Sequence, residues 1–155
     1  MSDSPYIYFF FGNDDFAIRK QVEKFGAMFS DPTTADMNTS RLDARTVSEN
    51  ELTNAVGAMP FLAPQRLVVL ENVSKRYTGL EGHKKFVAFL ETVPPSTKLV
   101  LVDPEEVKER DIPNHWLVKW VQKAGEKAKF QGYHMPKQRE MPGWISGEAK
   151  RQGGA

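Results

Sequence analysis

Three stretches of this chain are apolar without interruption over the length of a strand: Tyr6 to Phe11, Leu67 to Leu70 within Arg66-Leu67-Val68-Val69-Leu70, and Leu99 to Val102 after Lys98. A strand with one wet face alternates apolar and polar residues. An unbroken apolar run is what a strand covered on both faces requires, and strands of that kind belong to parallel sheets flanked by helices. Helical patterns lie between the runs, set off by short turn signals, so the chain reads as successive β/α units. The expected fold is a three-layer α/β domain with a five-stranded, mostly parallel sheet.

The remaining elements follow from the same reading. Asn13 or Asp14 caps a helix through about Phe29, with Phe16, Val22, Phe25 and Met28 or Phe29 facing inward. Asp31-Pro32-Thr33-Thr34 reads as a break, and Met37 to Leu42 as a weaker, alternating second strand. Ser48 with Glu51 three residues later is a capping box that starts a short helix ending near Gly57. Pro60-Phe61-Leu62-Ala63-Pro64 interrupts the chain before the Arg66 strand. A helix from Gly79 to Leu90 places Phe86, Phe89 and Leu90 on one face. Beyond the Lys98 strand Glu105 to Asp111 is charged, the acidic residues near Asp103 to Asp111 read as a solvated, charged loop, and Ile112-Pro113 is a turn. Trp116 to Lys123 is helical, with Trp116 and Trp120 on one packed face. Ala128 to Tyr133 is a short last strand, and Pro142 to Gln152 a final helix ending on Gly153-Gly154.

A first strand running into Gly12-Asn13-Asp14-Asp15-Phe16 and a helix is the layout of a phosphate-binding loop without the residues that bind phosphate. Such a loop needs several glycines to wrap backbone N–H groups around the anion, a lysine for the terminal phosphates and a hydroxyl for Mg²⁺. Only Gly12 is present. Asp14 and Asp15 stand where a triphosphate would arrive and repel it. The reading is a P-loop type of fold used without ATP, its phosphate loop (Gly12, Asn13, Asp14, Asp15) degenerate.

Among the 155 residues there is no cysteine, which excludes disulfides and thiolate metal sites. No apolar run approaches membrane-spanning length, and the Met-Ser-Asp-Ser-Pro start lacks the basic flank of a signal peptide, so a cytoplasmic protein with no membrane contact is expected. The net charge of +1 hides an uneven distribution. Residues 1 to 115 carry 13 Lys/Arg against 17 Asp/Glu, and residues 116 to 155 carry 8 against 3. The basic end suits nucleic acid, an acidic partner surface, or simply a solvated helix face.

The order of these landmarks resembles a known family. Strand-Gly-Asn-Asp-Asp-Phe, Ala58-Met59-Pro60-Phe61-Leu62-Ala63-Pro64-Gln65-Arg66-Leu67-Val68-Val69-Leu70, the Pro94-Pro95-Ser96-Thr97-Lys98-Leu99-Val100 turn into a strand, and Trp144-Ile145 before Glu148-Ala149-Lys150 are similar to the delta subunit of bacterial DNA polymerase III. The resemblance covers about Tyr6 to Gly154 and only that family's N-terminal module. It implies a P-loop NTPase-like fold of the AAA+ type over residues 1–140, with 141–155 beginning the helix that leads into a second domain. It also implies a clamp-loader subunit with no catalytic residues and no cofactor. Such a subunit binds the ring-shaped sliding clamp (the beta subunit) and other loader subunits, meets primed DNA through the assembly, and leaves polymerase activity to the holoenzyme.

By the same resemblance, the clamp-contacting apolar pair falls on Phe61 and Leu62, with Met59 and Pro60 completing the site. An aromatic-aliphatic pair between Pro60 and Pro64 is stiff, so little ordering entropy is lost on inserting it into a pocket. The competing reading makes Phe61 and Leu62 core residues capping the sheet, since apolar residues beside a buried strand are usually buried.

Other chemistry has weaker support. His83, His115 and His134 are far apart in sequence, lack the spacing of metal ligands and read as surface residues. No Gly-x-Ser-x-Gly elbow is present. Glu105 and Glu106 follow a buried strand, where an NTPase keeps Mg²⁺-binding acids, but without a phosphate loop they have nothing to serve. A small α/β nucleotide-binding enzyme with an atypical phosphate loop is the alternative function. A different clamp-loader subunit carrying a zinc module is disfavoured by the lack of cysteine.

Overall fold

A computed structural model of the chain describes residues 5–136. The predicted helix from Pro142 to Gln152, the Trp144-Ile145 pair and the boundary at residue 140 lie outside them.

Within the described residues the sheet has five strands: β1 (Ile7–Phe11), β2 (Thr39–Asp43), β3 (Arg66–Glu71), β4 (Thr97–Asp103) and β5 (Ala128–Gly132). Their spatial order is β2-β3-β4-β1-β5, and every neighbouring pair is parallel. The unbroken apolar runs have the predicted cause. Successive side chains of β1 go to opposite faces, Phe9 and Phe11 into one core cluster and Phe10 into the other. On one face α1 (Asp15–Phe25) packs Ile18 and Val22 against Phe10, Val69 and Val100. On the other, α3 (Glu49–Gly57), α5 (Gly79–Leu90) and α6 (Trp116–Ala124) bring Leu52, Phe86, Leu90 and Leu117 onto Phe9, Leu70 and Leu99. The three layers are therefore helix, sheet and helix.

Local signals behave as their chemistry demands. Ser48 and Glu51 close the capping box, each backbone N–H reaching the other's side chain at 3.0 Å, worth about 1 kcal/mol. Trp120 is buried and Trp116 half-buried against the α5 face, so that pair is a packed helix face.

Several elements differ from the sequence reading. The first helix ends at Phe25 and tightens into a 3-10 turn over Gly26–Met28. Phe16 is exposed, because Ile18, Val22 and Phe25 define the inward stripe and a residue two positions from Ile18 faces away from it. Lys20 covers the Phe16 ring instead. Asp31-Pro32-Thr33-Thr34 does not only break a helix; it starts α2 (Pro32–Asn38). Asp31 caps it by accepting from the Thr34 N–H at 2.7 Å, and Pro32 sits in the first turn, where a missing N–H costs nothing. Met37 and Asn38 are thus helical, and β2 starts later than predicted. A one-turn helix, α4 (Val73–Arg76), follows β3, and a 3-10 segment over Glu109–Asn114 takes up the end of the predicted charged loop and the predicted Ile112-Pro113 turn.

Candidate functional site

Because all strands run the same way, the two candidate sites lie at opposite edges of the sheet. The loop from Gly12 to Asp15 leaves the C-terminal end of β1, whereas Met59 to Leu62 enters the N-terminal end of β3. The structure does not bring them together.

The C-terminal ends of β1 and β4 form the crevice where an open α/β sheet usually holds its ligand, since the helices that follow these strands lie on opposite faces. Here the loop that follows β1 is covered from the β5 side by the chain's own backbone. Gly12 has φ +126, and a Cβ placed on it would stand 1.9 Å from the Tyr133 carbonyl oxygen. The Tyr133 N–H donates to the Phe11 carbonyl at 2.7 Å, and the Asp14 N–H donates to the Tyr133 carbonyl at 3.0 Å. The Met135 N–H donates to Asn13 Oδ1 at 2.8 Å. Gly12 thus serves the close approach of residues 133–135. The N–H that would be turned toward a phosphate already has an acceptor. Asp14 caps α1 through the Ala17 N–H at 3.1 Å, and Asp15 pairs with Arg19 one turn on.

Behind the loop, Asp103 corrects the expectation of a solvated acidic stretch: it is buried, accepting from the Ser74 N–H at 3.0 Å and the Ser74 hydroxyl at 2.6 Å. Burial raises its pKa, and the two Ser74 bonds oppose the rise. Glu105 is exposed and paired with Lys75. The histidines are not the surface residues expected. His83 stacks on Trp116 with ring centroids 4.0 Å apart. His115 lies half-buried against Phe9 and caps α6, its Nδ1 accepting from the Leu117 N–H at 3.1 Å. His134 Nε2 accepts from the Val107 N–H at 2.9 Å. Among the described residues no cluster of His, Asp and Glu could hold a metal ion.

The opposite edge carries an exposed apolar tip. Met59 is 80% exposed, Leu62 79% and Phe61 48%, with Pro60 half-buried between them. None of the three large side chains belongs to a core cluster, which removes the reading of Phe61 and Leu62 as core residues. The tip is held from below. Asn38, fully buried at the end of α2, donates Nδ2 to the Phe61 carbonyl at 2.7 Å and accepts the Phe61 N–H on Oδ1 at 2.7 Å. The same Nδ2 donates to the Thr34 carbonyl at 2.8 Å. Leu62 then turns the chain through a left-handed φ of 56, and Arg66 secures the exit, its guanidinium donating to the Ala55 and Met37 carbonyls and to Ser40 Oγ. Asn38 and the exposed Met37 were not singled out from the sequence. Asn38 falls inside the stretch that reads as the second strand, and nothing local marks a bond that spans 23 residues.

The family model described as DNA polymerase III, delta subunit, matches residues 8–130. The chain belongs to the DNA polymerase III delta subunit family. No curated protein matches it. Among solved structures, the Bacillus subtilis DNA clamp loader delta protein YqeN aligns with a TM-score of 0.69 at 19% identity, covering 96% of this chain and 44% of that one. A DNA polymerase III gamma subunit-related protein from Thermotoga maritima aligns with a TM-score of 0.53 at 10% identity, covering 88% of this chain and 43% of that one. At these identities the likeness is one of fold, and the chain spans less than half the length of either protein. The fold of this delta-family chain is thus the AAA+-like domain that the resemblance implied. No helix among its described residues is long and apolar enough to cross a membrane.

Proposed function

We propose that this delta-family chain is a non-catalytic clamp-loader subunit that binds the sliding clamp through Phe61 and Leu62, flanked by Met59 and Pro60, and helps hold the ring open for loading on primed DNA. It works with other loader subunits and meets DNA through their assembly. The observation that carries the reading is the tip: large apolar side chains left in water on a loop whose backbone is tied to a buried asparagine. Exposed apolar groups on a fixed backbone are the form of an interface anchor, because neither the loop nor the pair has much freedom to lose on docking. Membership of the family supplies the partner. The loop after β1, covered by residues 133–135, supports a subunit that contributes binding, with no nucleotide of its own.

The test is affinity for the cognate sliding clamp, measured by surface plasmon resonance, together with the melting temperature of the same proteins. Changing Phe61→Ala and Leu62→Ala together should cost on the order of 2 kcal/mol or more of binding, roughly thirty-fold in Kd. The melting temperature should stay nearly unchanged, since these side chains lie outside both core clusters. An unchanged Kd in a folded double variant would remove the tip from the interface.

A further inference from the structure

Away from both sites, α5 and α6 leave a groove between them. One cavity of about 460 Å³ is floored by Val87, Trp116 and Ala124 and bordered by Lys119, Lys123 and Lys127. A second of about 320 Å³ shares Val87 and Trp116 and continues along α5 past His83, Lys84 and Ala88. Together they make a trough with an apolar floor and cations on both banks. Lys119 and Lys123 stand one turn apart on α6, and Lys84 lies on α5. The one carboxylate on the lining, Glu91, is taken by Lys127 at 3.0 Å and by the Trp120 Nε1–H at 2.8 Å. Lys84, Lys119 and Lys123 have no ion pair among the described residues.

We propose that this groove docks an acidic amphipathic helix from a partner protein. Apolar side chains at one face of such a helix fill the floor, and carboxylates on its flanks meet the lysines of the two banks. The trough is unlike a nucleic-acid site despite its tryptophans and lysines. Stacking bases need a free aromatic face, but the Trp116 ring is covered by His83 at an interplanar angle of 4°, and Lys127 lies 5.7 Å over Trp120. A phosphate backbone would also leave the apolar floor unfilled. The chain's own residues 137–155 are a poor charge match, with four basic residues against two acidic. A second copy offers the acidic segment from Glu105 to Asp111, but the apolar residues that go with it, Val107 and Ile112, pack on their own core. The inference stands apart from clamp binding, because none of Met59, Pro60, Phe61 and Leu62 lines the groove.

The experiment uses the whole chain and a fluorescein-labelled peptide of about four helical turns, with Leu at i, i+3, i+4 and i+7 and Glu on the flanking positions. Fluorescence anisotropy should show saturable binding, weakened about tenfold or more by Lys119→Glu with Lys123→Glu. Ala88→Gln, at an exposed floor position, should weaken it as well while leaving the melting curve unchanged. A control peptide of equal charge with Gln in place of Leu should bind at least tenfold more weakly. Equal binding of that control would reduce the groove to bulk electrostatics. No binding of the leucine peptide, or binding of a single-stranded or duplex DNA oligonucleotide lost with the same charge reversal in its place, overturns the proposal.

Discussion

The buried side chain of Asn38 bonds the backbone of Phe61 on both sides, accepting its N–H and donating to its carbonyl, each at 2.7 Å. An amide side chain thereby acts as a piece of missing sheet, and the apolar tip inherits the rigidity of α2. Asn38→Ala leaves two backbone groups of Phe61 and the Thr34 carbonyl short of a partner. The expected cost is about 2 kcal/mol or more in unfolding free energy. Asn38→Asp keeps the acceptor for the Phe61 N–H but sets a carboxylate against two carbonyl oxygens, so it should be no better near neutral pH. If the tip binds the clamp, both variants should also lose affinity with Phe61 and Leu62 intact. Urea unfolding and clamp binding measured side by side check this; wild-type stability in Asn38→Ala would show that the two bonds are not holding the loop.

Two glycines are predicted to respond in opposite ways to the same change. Gly12→Ala drives a Cβ to 1.9 Å from the Tyr133 carbonyl oxygen and demands a φ of +126 from an alanine. Backbone cannot yield as a side-chain tip can, so the variant should lose several kcal/mol or fail to fold. At Gly57, the last residue of α3, a Cβ meets nothing within 4 Å. Gly57→Ala should therefore stabilise by about 0.4–1 kcal/mol through the unfolded chain. Thermal melts of the two proteins suffice, and a harmless Gly12→Ala would mean that residues 133–135 do not sit on the loop.

These two positions show what the sequence could and could not convey. β1, β3 and β4 were legible because burial on both faces writes an apolar residue at every position. Gly12 was legible as a special residue, but its reason lies at the other end of the domain in Tyr133, where no local pattern points. α2 was hidden because Asp31-Pro32 is equally a helix stop and a helix start, and only tertiary packing chooses. The apolar identity of Phe61 and Leu62 was consistent with core or surface; family resemblance pointed to the tip, and their exposure appears only in three dimensions. Asp103 was read as solvated from the acids around it, yet its burial follows from the strand it ends.

His115 gives the domain a pH dependence with a definite sign. Burial holds its pKa below the ordinary 6.5; Asp103 opposes that shift and His83 adds to it. Protonation would put a charge among Phe9, Phe11 and Trp116 and remove the Nδ1 acceptor that caps α6. Since the folded pKa lies below the unfolded one, the unfolded chain takes the proton first. The His115 contribution is complete above the unfolded value and is lost as pH falls through the folded one. His83, also depressed by burial, acts in the same direction. Asp103 acts oppositely, because its raised folded pKa makes the native state the better proton acceptor. His115→Asn retains a short cap but cannot titrate, so its melting temperature should fall less than wild type between about pH 7 and about pH 5. Parallel curves for the two proteins would exclude His115 as the source.

Nucleotide binding separates the proposed subunit from a small α/β enzyme with an unusual phosphate loop. A triphosphate arriving at the C-terminal end of β1 would find the Asp14 N–H bonded to Tyr133, no lysine in Gly12-Asn13-Asp14-Asp15-Phe16, and two carboxylates beside the loop, Asp14 on the Ala17 N–H and Asp15 paired with Arg19. To bind, it would have to displace residues 133–135, breaking the 2.7 Å bond to Phe11 and the 2.8 Å bond to Asn13, without gaining a cation in return. Calorimetric titration with Mg²⁺-ATP should therefore give no saturable heat up to about 1 mM, where even an affinity of roughly 4 kcal/mol would register. The same titration on an Asp14→Ala, Asp15→Ala variant should also be flat, because removing repulsion does not create a cradle. Micromolar binding by the wild-type chain that is lost in that variant would instead give the two carboxylates a part in holding Mg²⁺-nucleotide, and the enzyme reading would replace the one proposed.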